Sequence, residues 1–332
     1  MSYRNLINVA SASIAESFKR IRDFICRRNG SYDYSATGIG WTLWDSSYAV
    51  DENAPATGDW FVIKSIGENG KQDLYYRFIL NASTITVYGY LYWNAATNAG
   101  IKEFGSPNAI NISSGATTLW IYGDLDHVCI GYVNTSNYLF MMGAPHQGEG
   151  FYDNAIAVSS ASVSTGSNVV VTVDAVPDTW YVGQKLYHWD TAGLNVVTIA
   201  ALGAGTVTLA TVSAAKLAGN KLSGDIGYFC SNSNALAAVA CVADRSTGAV
   251  GAVNLQTSEW AVTVAGTDAL NSKRASGDLF LAAAGSAYGK VPDVKITSAT
   301  GATHNTPYTD QGGNTWRLLL VYSGKALMVK EV

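Results

Sequence analysis

The chain has 332 residues, of which 48% are hydrophobic and only 14% charged, against about 25% charged in an average soluble domain. The 33 Gly, 19 Tyr and 9 Trp with only 6 Pro favour a fold of many short strands and exclude a disordered or collagen-like chain. Because no apolar run reaches the roughly 18 residues of a membrane helix, we expect a soluble chain with no membrane segment and no signal peptide.

Charge and cysteine usage exclude further classes. Residues 1–30 have a net charge of +4, since they contain six basic and two acidic side chains. Because the whole chain has a net charge of −4, the remaining residues carry −8. The cations of this basic head are too few, and no aromatic groove accompanies them, for nucleic acid to be an expected partner. Cys26, Cys129, Cys230 and Cys241 form no CxxC pair, which indicates reduced core thiols rather than a zinc ribbon or a disulfide scaffold.

The first segment, residues 1–30, is predicted to be a helix. Apolar or small residues recur at alternating spacings of four and three over three heptads, and residues 27–30 give a helix stop. Such a stripe favours self-association in more than two strands. Packing on the chain's own β domain and docking on another subunit are the alternatives. We interpret the segment as an intersubunit anchor whose contact residues are Ile7, Ile14, Phe18, Ile21 and Ile25, with Ser11 on the same stripe.

The periodicity then changes to two, which predicts strands. Residues 60–65 and 74–80 form a predicted hairpin, followed by a strand over 84–93. On that strand Ile85, Val87, Leu91 and Trp93 share one face, while the opposite face carries the row Tyr88, Tyr90 and Tyr92. We expect this row to be buried under a second layer or at a subunit contact, with carbohydrate stacking as the alternative.

Residues 155–228 differ in composition from the residues before them, because they contain fewer aromatic residues and more Val, Ala, Thr and Gly. They predict a small β-barrel inserted into a sandwich or jelly roll built from 31–154 and 229–332, where the aromatic texture returns. Three domains in series are the alternative. The predicted fold is therefore mainly β: an N-terminal helix, then a β-sandwich or jelly-roll-like domain with a small β-barrel insertion.

The motifs of common chemistries are missing from the sequence. The four histidines, at 127, 146, 188 and 304, fit no metalloprotease pattern, and there is no phosphate loop, nucleophile elbow or dinucleotide fingerprint. Asp124, Asp126 and His127 form the best polar cluster, which we interpret as a turn between strands. We therefore predict no enzyme activity, no catalytic or metal-binding residues and no cofactor.

Several stretches of the sequence resemble a known class of protein. Residues 40–48, 58–65 and 67–77, the barrel stretch 183–209, and residues 288–294 resemble structural proteins of the tailed-bacteriophage virion and the small β modules inserted in neck, baseplate and fibre proteins. The resemblance implies a virion protein of the tail, neck (collar) or baseplate region, with other phage structural proteins as partners, and it supplies no catalytic residues.

Composition and resemblance agree on an assembly role, because apolar and aromatic surface with few charges suits burial between subunits. We expect a homo-oligomer, a trimer or hexamer around the tail axis. The alternative is a receptor-binding tail fibre or lectin-like module that binds a host-surface glycan through exposed aromatic side chains.

Overall fold

The computed structural model describes residues 4–27, 32–47, 53–67, 70–71, 74–103, 108–112, 116–133, 137–144, 155–224, 228–232, 239–243, 250–255, 276–283, 286–298, 303–322 and 325–331. The fold is mainly β, as predicted, with several antiparallel sheets and a helix near the N-terminus. None of the described helical residues forms a helix long and apolar enough to cross a bilayer.

The elements in chain order are β1 (Arg4–Ser11), α1 (Ile14–Cys26), β2 (Thr42–Ser46), β3 (Trp60–Ser65), β4 (Leu74–Leu80), β5 (Ile85–Asn94), β6 (Ala99–Glu103), β7 (Asn108–Ile110), β8 (Thr117–Gly123), β9 (His127–Val133), β10 (Asn137–Gly143), β11 (Ile156–Val158), β12 (Gly166–Thr172), β13 (Lys185–Asp190), β14 (Gly193–Gly203), β15 (Thr206–Val212), β16 (Lys221–Ser223), β17 (Tyr228–Asn232), β18 (Val239–Ala243), β19 (Val250–Leu255), β20 (Ser276–Ala283), β21 (Ser286–Ser298), β22 (Thr306–Thr309), β23 (Thr315–Tyr322) and β24 (Lys325–Glu331).

Two of the sheets form a sandwich. The outer sheet has the order β2-β3-β4-β5-β6, with β7 also paired to β5, and the central sheet has the order β1-β8-β9-β10-β17. Alternate side chains of both sheets meet in one core, where Phe61 stacks on Phe78 at 4.8 Å and Phe78 meets Phe140 at 6.4 Å between ring centroids. Helix α1 packs into this same core through Phe18, whose ring lies 4.6 Å from that of Phe61.

The structure corrects the prediction for the N-terminal segment in two ways. Ile7 lies on β1, which pairs with β8, and so it belongs to a strand rather than to the helix. Ser11 is the last residue of the same strand. The remaining residues of the stripe are helical, but their side chains are buried in the chain's own core: Ile14, Phe18, Ile21 and Ile25. A side chain already buried in its own domain cannot bind a neighbouring subunit, so these four residues belong to the sandwich core and are not contact residues. That the segment as a whole anchors the chain to a neighbour stays a prediction.

Local chemistry explains where the helix begins and ends. Ser13 is the N-cap, and its Oγ accepts a hydrogen bond from Glu16 N at 3.1 Å, while the Glu16 carboxylate accepts one from Ala12 N. This capping arrangement satisfies backbone N–H groups that have no partner within the helix. At the other end Arg27 takes the left-handed conformation, with φ of 54°, and its N–H donates to Asp23 O. The helix thus ends at Cys26, and residues 28–30 of the predicted stop lie outside the described residues.

A further sheet covers the other face of the central sheet. The C-terminal sheet has the order β18-β19-β20-β21-β24-β23-β22. It meets the central sheet where Trp120 packs edge-on against His304 at 5.3 Å and where Tyr122 Oη lies 3.4 Å from Glu331 Oε1. Of the described residues beyond 228, only those of β17 join the central sheet, so the sandwich carries a third layer.

The segment between β10 and β17 forms a sheet of its own, the inserted sheet, with the order β11-β16-β13-β14-β15-β12. Its edges approach each other, since Asp174 N donates to Val158 O at 2.9 Å, and the sheet curls around a separate apolar core. The chain leaves the central sheet after Gly143 and returns at Tyr228, and these two residues are register partners. The insertion therefore begins and ends at neighbouring points of one sheet.

The inserted sheet is also docked on the sandwich. Along β13, Leu186 faces the inserted core, whereas Tyr187 and Trp189 face the sandwich core. Lys71 on the sandwich forms an ion pair with Asp174 at 2.8 Å. Two aromatic side chains of the insertion thus contribute to the core of the body.

Truncating the helix stripe should destabilise the protein. We expect Ile21→Ala to lower the free energy of unfolding by about 2–5 kcal/mol, because Ile21 is fully buried and the change leaves a cavity. The matched control Ile7→Ala, at a half-buried position on β1, should cost less. Urea unfolding followed by circular dichroism measures both. If the Ile21→Ala variant keeps the stability of the wild type but loses self-association, the result would contradict this expectation and support the anchor hypothesis.

Replacing residues 145–226 by a short Gly-Ser linker should leave a body that still unfolds cooperatively. The register pair of Gly143 and Tyr228 keeps the two ends adjacent, but the loss of Tyr187 and Trp189 from the sandwich core should lower the melting temperature. Calorimetry tests this expectation. A truncated chain with no cooperative transition would show that the inserted sheet is indispensable to the body.

Candidate functional site

The face of the outer sheet that points away from the sandwich core carries a continuous cluster of aromatic rings, of which Tyr75, Tyr90 and Trp93 are buried and Trp44 is exposed. Because side chains alternate along each strand, β4 directs Tyr76 and Phe78 into the sandwich core and Tyr75 and Arg77 to the opposite side. We call this surface the aromatic face. Its members are Trp44, Trp60, Tyr75, Tyr88, Tyr90, Tyr92 and Trp93.

The rings of the aromatic face support one another. Trp93 lies 5.5 Å from both Trp60 and Tyr90, and Tyr75 meets Trp44 and Tyr92 edge-on at 5.5 and 5.9 Å between centroids. These are the tilted and edge-to-face geometries that aromatic quadrupoles prefer. The surface is therefore a set of interlocked rings with defined positions.

The predicted row of tyrosines lies on this face. Tyr88 and Tyr92 are half-buried and Tyr90 is buried, with Tyr88 and Tyr90 stacked at 6.3 Å. The Tyr90 ring also packs against Trp93 and lies over Gly100. The role of the three tyrosines in subunit or glycan contact stays a prediction.

Two neighbours of the row were not predicted. Trp93, assigned by alternation to the core face with Ile85, instead packs with the tyrosines, and its Nε1 donates to Asp45 Oδ2 at 2.6 Å. Gly100 on β6 allows the Tyr90 ring to lie across that strand, because a Cβ at this position would overlap the ring. Both contacts join residues on different strands, which sequence alternation alone does not reveal.

Two cations stand within the aromatic face. The Arg77 guanidinium lies over the Trp60 ring at 4.7 Å and the Trp93 ring at 5.3 Å from the centroids. Lys64 Nζ lies over the Trp44 ring at 4.7 Å and the Tyr75 ring at 5.4 Å. These distances are within cation–π range.

Strand register places the cations centrally. In the cross-strand row of Val62, Arg77 and Tyr88, the arginine occupies the middle strand of the outer sheet. Lys64 pairs with Tyr75, which pairs in turn with Tyr90, so the second cation stands one row away. Trp44, 39% exposed, lies at the margin. Aromatic rings and positive charge therefore lie on the same face of the outer sheet.

A second polar cluster lies at the turn between β8 and β9. Asp124 Oδ1 accepts hydrogen bonds from Asp126 N at 2.8 Å, His127 N at 3.0 Å and His127 Nδ1 at 2.9 Å. These contacts are those of a polar turn, as the sequence predicts. Asp293 on β21 approaches as well, so that one ligand atom from each of Asp124, His127 and Asp293 lies within 4.8 Å of the others.

Mutual attraction between Asp124 and His127 shifts both pKa values towards the charged forms. Burial alone would raise the pKa of Asp124, but the hydrogen bond from His127 outweighs it and lowers the pKa to about 2. Burial alone would lower the pKa of His127, but the hydrogen bond to Asp124 and the nearby charges of Asp124, Asp293 and Asp126 raise it. The raised pKa favours the protonated form of the buried histidine, which lies close to Asp293 on the C-terminal sheet.

No protein family matches the sequence, and no curated protein matches it. The resemblance to virion proteins thus depends on the stretches given above. Function has to be argued from the surfaces just described.

The ion pair of Asp124 and His127 predicts a window of maximal stability. The raised pKa of His127 gives stability that is present below its ordinary value of 6.5 and lost as pH rises through the native value. The lowered pKa of Asp124 gives stability that is present above its ordinary value of 3.8 and lost as pH falls towards about 2. The difference in unfolding free energy between the wild type and His127→Gln should therefore be greatest between these two ordinary values.

Denaturant unfolding of both proteins across the pH range measures this difference. Asp59→Asn is the matched control, since that carboxylate lies in an exposed loop and bonds Ala56 N at 2.7 Å. A difference between wild type and His127→Gln that does not vary with pH would contradict a charged histidine.

Proposed function

We propose that the chain is a structural component of a tailed-phage virion, in the tail, neck or baseplate, which assembles through its β-rich body. The mainly-β layers and the low content of charged residues support this function, as does the resemblance of residues 40–77 and 183–209 to phage structural proteins.

The observation that carries the proposal is an apolar loop on the inserted sheet. Tyr181 and Val182 are each more than 60% exposed, although Trp180 beside them is buried in the inserted core. The loop is held in place because Gly183 N donates to Ile199 O at 2.8 Å and Tyr181 N donates to Gln184 Oε1 at 3.2 Å. A fixed loop with two exposed apolar side chains binds a partner at little cost in conformational entropy.

The inserted sheet is the part of the body best suited to subunit contacts. Leu217 and Val170 on the same sheet are also more than half exposed. The helix stripe that favoured a trimer or hexamer is buried in its own core. Contacts of such an oligomer around the tail axis, and contacts with other phage structural proteins, would therefore involve the inserted sheet.

A second candidate function is that of a receptor-binding or lectin-like module. The aromatic face favours it, because Trp44 is exposed and Trp60, Tyr88 and Tyr92 are half-buried, so that part of each ring is accessible. Rings presented in this way are suited to stack on sugars.

The mass of the purified chain tests the assembly proposal. By light scattering at micromolar concentration and moderate salt, we expect a trimer or hexamer, and we expect the double variant Tyr181→Ser/Val182→Ser to shift towards the monomer. Ile66→Ser is the matched control, since Ile66 is an exposed apolar residue of the sandwich.

A wild-type monomer that also fails to bind purified virions lacking it would contradict the assembly proposal. Cryo-electron microscopy of the complete particle gives the decisive test. The copies should be related by a rotation axis and should contact neighbours through the inserted sheet.

A further inference from the structure

We infer that the aromatic face binds an acidic glycan, with Arg77 as the residue that recognises its carboxylate. The inference rests on the second candidate function, that of glycan binding, and names the chemical class of its ligand.

The hydrogen bonding of Arg77 favours an anionic ligand. Its Nε is buried and has no hydrogen-bond partner among the described residues, where the guanidinium contacts the rings of Trp60 and Trp93. A guanidinium carries five N–H donors in a planar fork that matches the two oxygens of a carboxylate. A ligand cannot reach the buried Nε, but the two terminal amino groups of Arg77 are neither buried nor hydrogen-bonded among the described residues, so they are the donors that a carboxylate would bind.

The aromatic face also combines positive charge with aromatic rings, and both can contact an acidic sugar. The faces of aromatic rings carry a negative quadrupole, which attracts the polarised C–H groups of a sugar ring. Lys64 adds a second positive charge one register row from Arg77, between Trp44 and Tyr75. The nearby carboxylate of Asp45 is occupied, since its Oδ2 accepts from Trp93 Nε1 and its Oδ1 from Ser46 N. A chain of sugars with regularly placed carboxylates complements both features.

Charge also disfavours the alternative that two copies of the chain bind each other through this face. In a two-fold contact the same patch meets itself, which would bring Arg77 and Lys64 of one copy towards the same cations of the other. Like charges brought together at an interface cost binding energy. The aromatic face therefore suits an anionic ligand better than a copy of itself.

Titration calorimetry and a glycan array test the inference. The probes are oligomers of galacturonic acid, of sialic acid and of hyaluronan, each paired with its methyl ester, which keeps the sugar and removes the charge. We expect at least one acidic probe to bind, with an affinity at least about tenfold higher than that of its ester. Loss of one charged hydrogen-bonded contact has an effect of this size.

Variants separate Arg77 from a general effect of charge. Arg77→Gln should abolish the preference for the acidic probe, and Arg77→Lys should restore it only in part, because lysine lacks the planar fork. The matched control is Lys295→Gln, which removes a cation lying 4.4 Å over the Trp316 ring on the C-terminal sheet and should leave binding unchanged. Thermal melts verify that each variant is folded.

Each outcome decides a separate point. Equal binding of acid and ester, or full binding by Arg77→Gln, would overturn the acidic-glycan inference while glycan binding stands. If no probe binds, both the inference and the second candidate function fail. If a second copy of the chain covers the aromatic face, the wild type will be a dimer and Arg77→Gln will change the fraction of dimer. This result would also overturn the inference. None of these outcomes affects the test of assembly through Tyr181 and Val182.

Discussion

Burial of the central sheet on both faces is the constraint on which the architecture depends. Along β8, Leu119 and Ile121 point into the sandwich core, while Trp120 and Tyr122 point towards the C-terminal sheet. Strands covered on two sides cannot alternate between apolar and charged residues. This accounts for the low charge of the chain, and a polar atom that is buried there needs a partner. Tyr122 meets Glu331, which also accepts two hydrogen bonds from Arg317 at 2.7 and 2.9 Å.

The outer sheet contributes one face to the sandwich core, and its other face carries a smaller cluster in which Val62, Tyr75, Tyr90 and Trp93 are buried. Its other face would expose a broad apolar area if its large side chains stood apart, and large exposed apolar patches are unfavourable in soluble proteins. The rings instead lie against one another, with Tyr90 across Gly100 and Trp93 fixed by Asp45. The aromatic face is therefore a packed cluster in which Tyr75 and Trp93 are buried, while Trp44 at its margin stays exposed.

The sequence predicted element types better than it predicted contacts. The helical spacing of Ile14, Phe18, Ile21 and Ile25 was a valid signal, but extending it back to Ile7 was wrong. The capping pattern Ser13-x-x-Glu16 marks the true start of the helix, and it could have been found in the sequence. What the stripe packs against could not, because a helix buried in its own sandwich and a helix buried in a neighbour have the same periodicity.

For the aromatic face, too, the sequence predicted which residues share a face but not which residues are in contact. Alternation predicted that Tyr88, Tyr90 and Tyr92 share a face, and the same rule applied to residues 74–80 would have placed Tyr75 and Arg77 together. The position of Arg77 between Trp60 and Trp93 depends on register across three strands, which local pattern does not fix. Similarly, the change of texture near residue 155 predicted an insertion, but the pairing of Gly143 with Tyr228 became visible only in the fold.

The energetics of Arg77 indicate that stability alone does not account for this residue. A cation–π contact at a partly exposed site contributes about 0.5–1 kcal/mol. A β-branched or aromatic residue in the middle strand of a sheet would pack on the same rings and has the higher strand propensity, with a scale that spans about 1 kcal/mol. It would also leave no buried N–H group without an acceptor, whereas Arg77 Nε has none among the described residues. An apolar side chain would thus serve the sheet at least as well as arginine. What arginine adds at this position is a fixed positive charge and a set of planar donors, and these are the properties on which the proposed recognition of an acidic glycan depends.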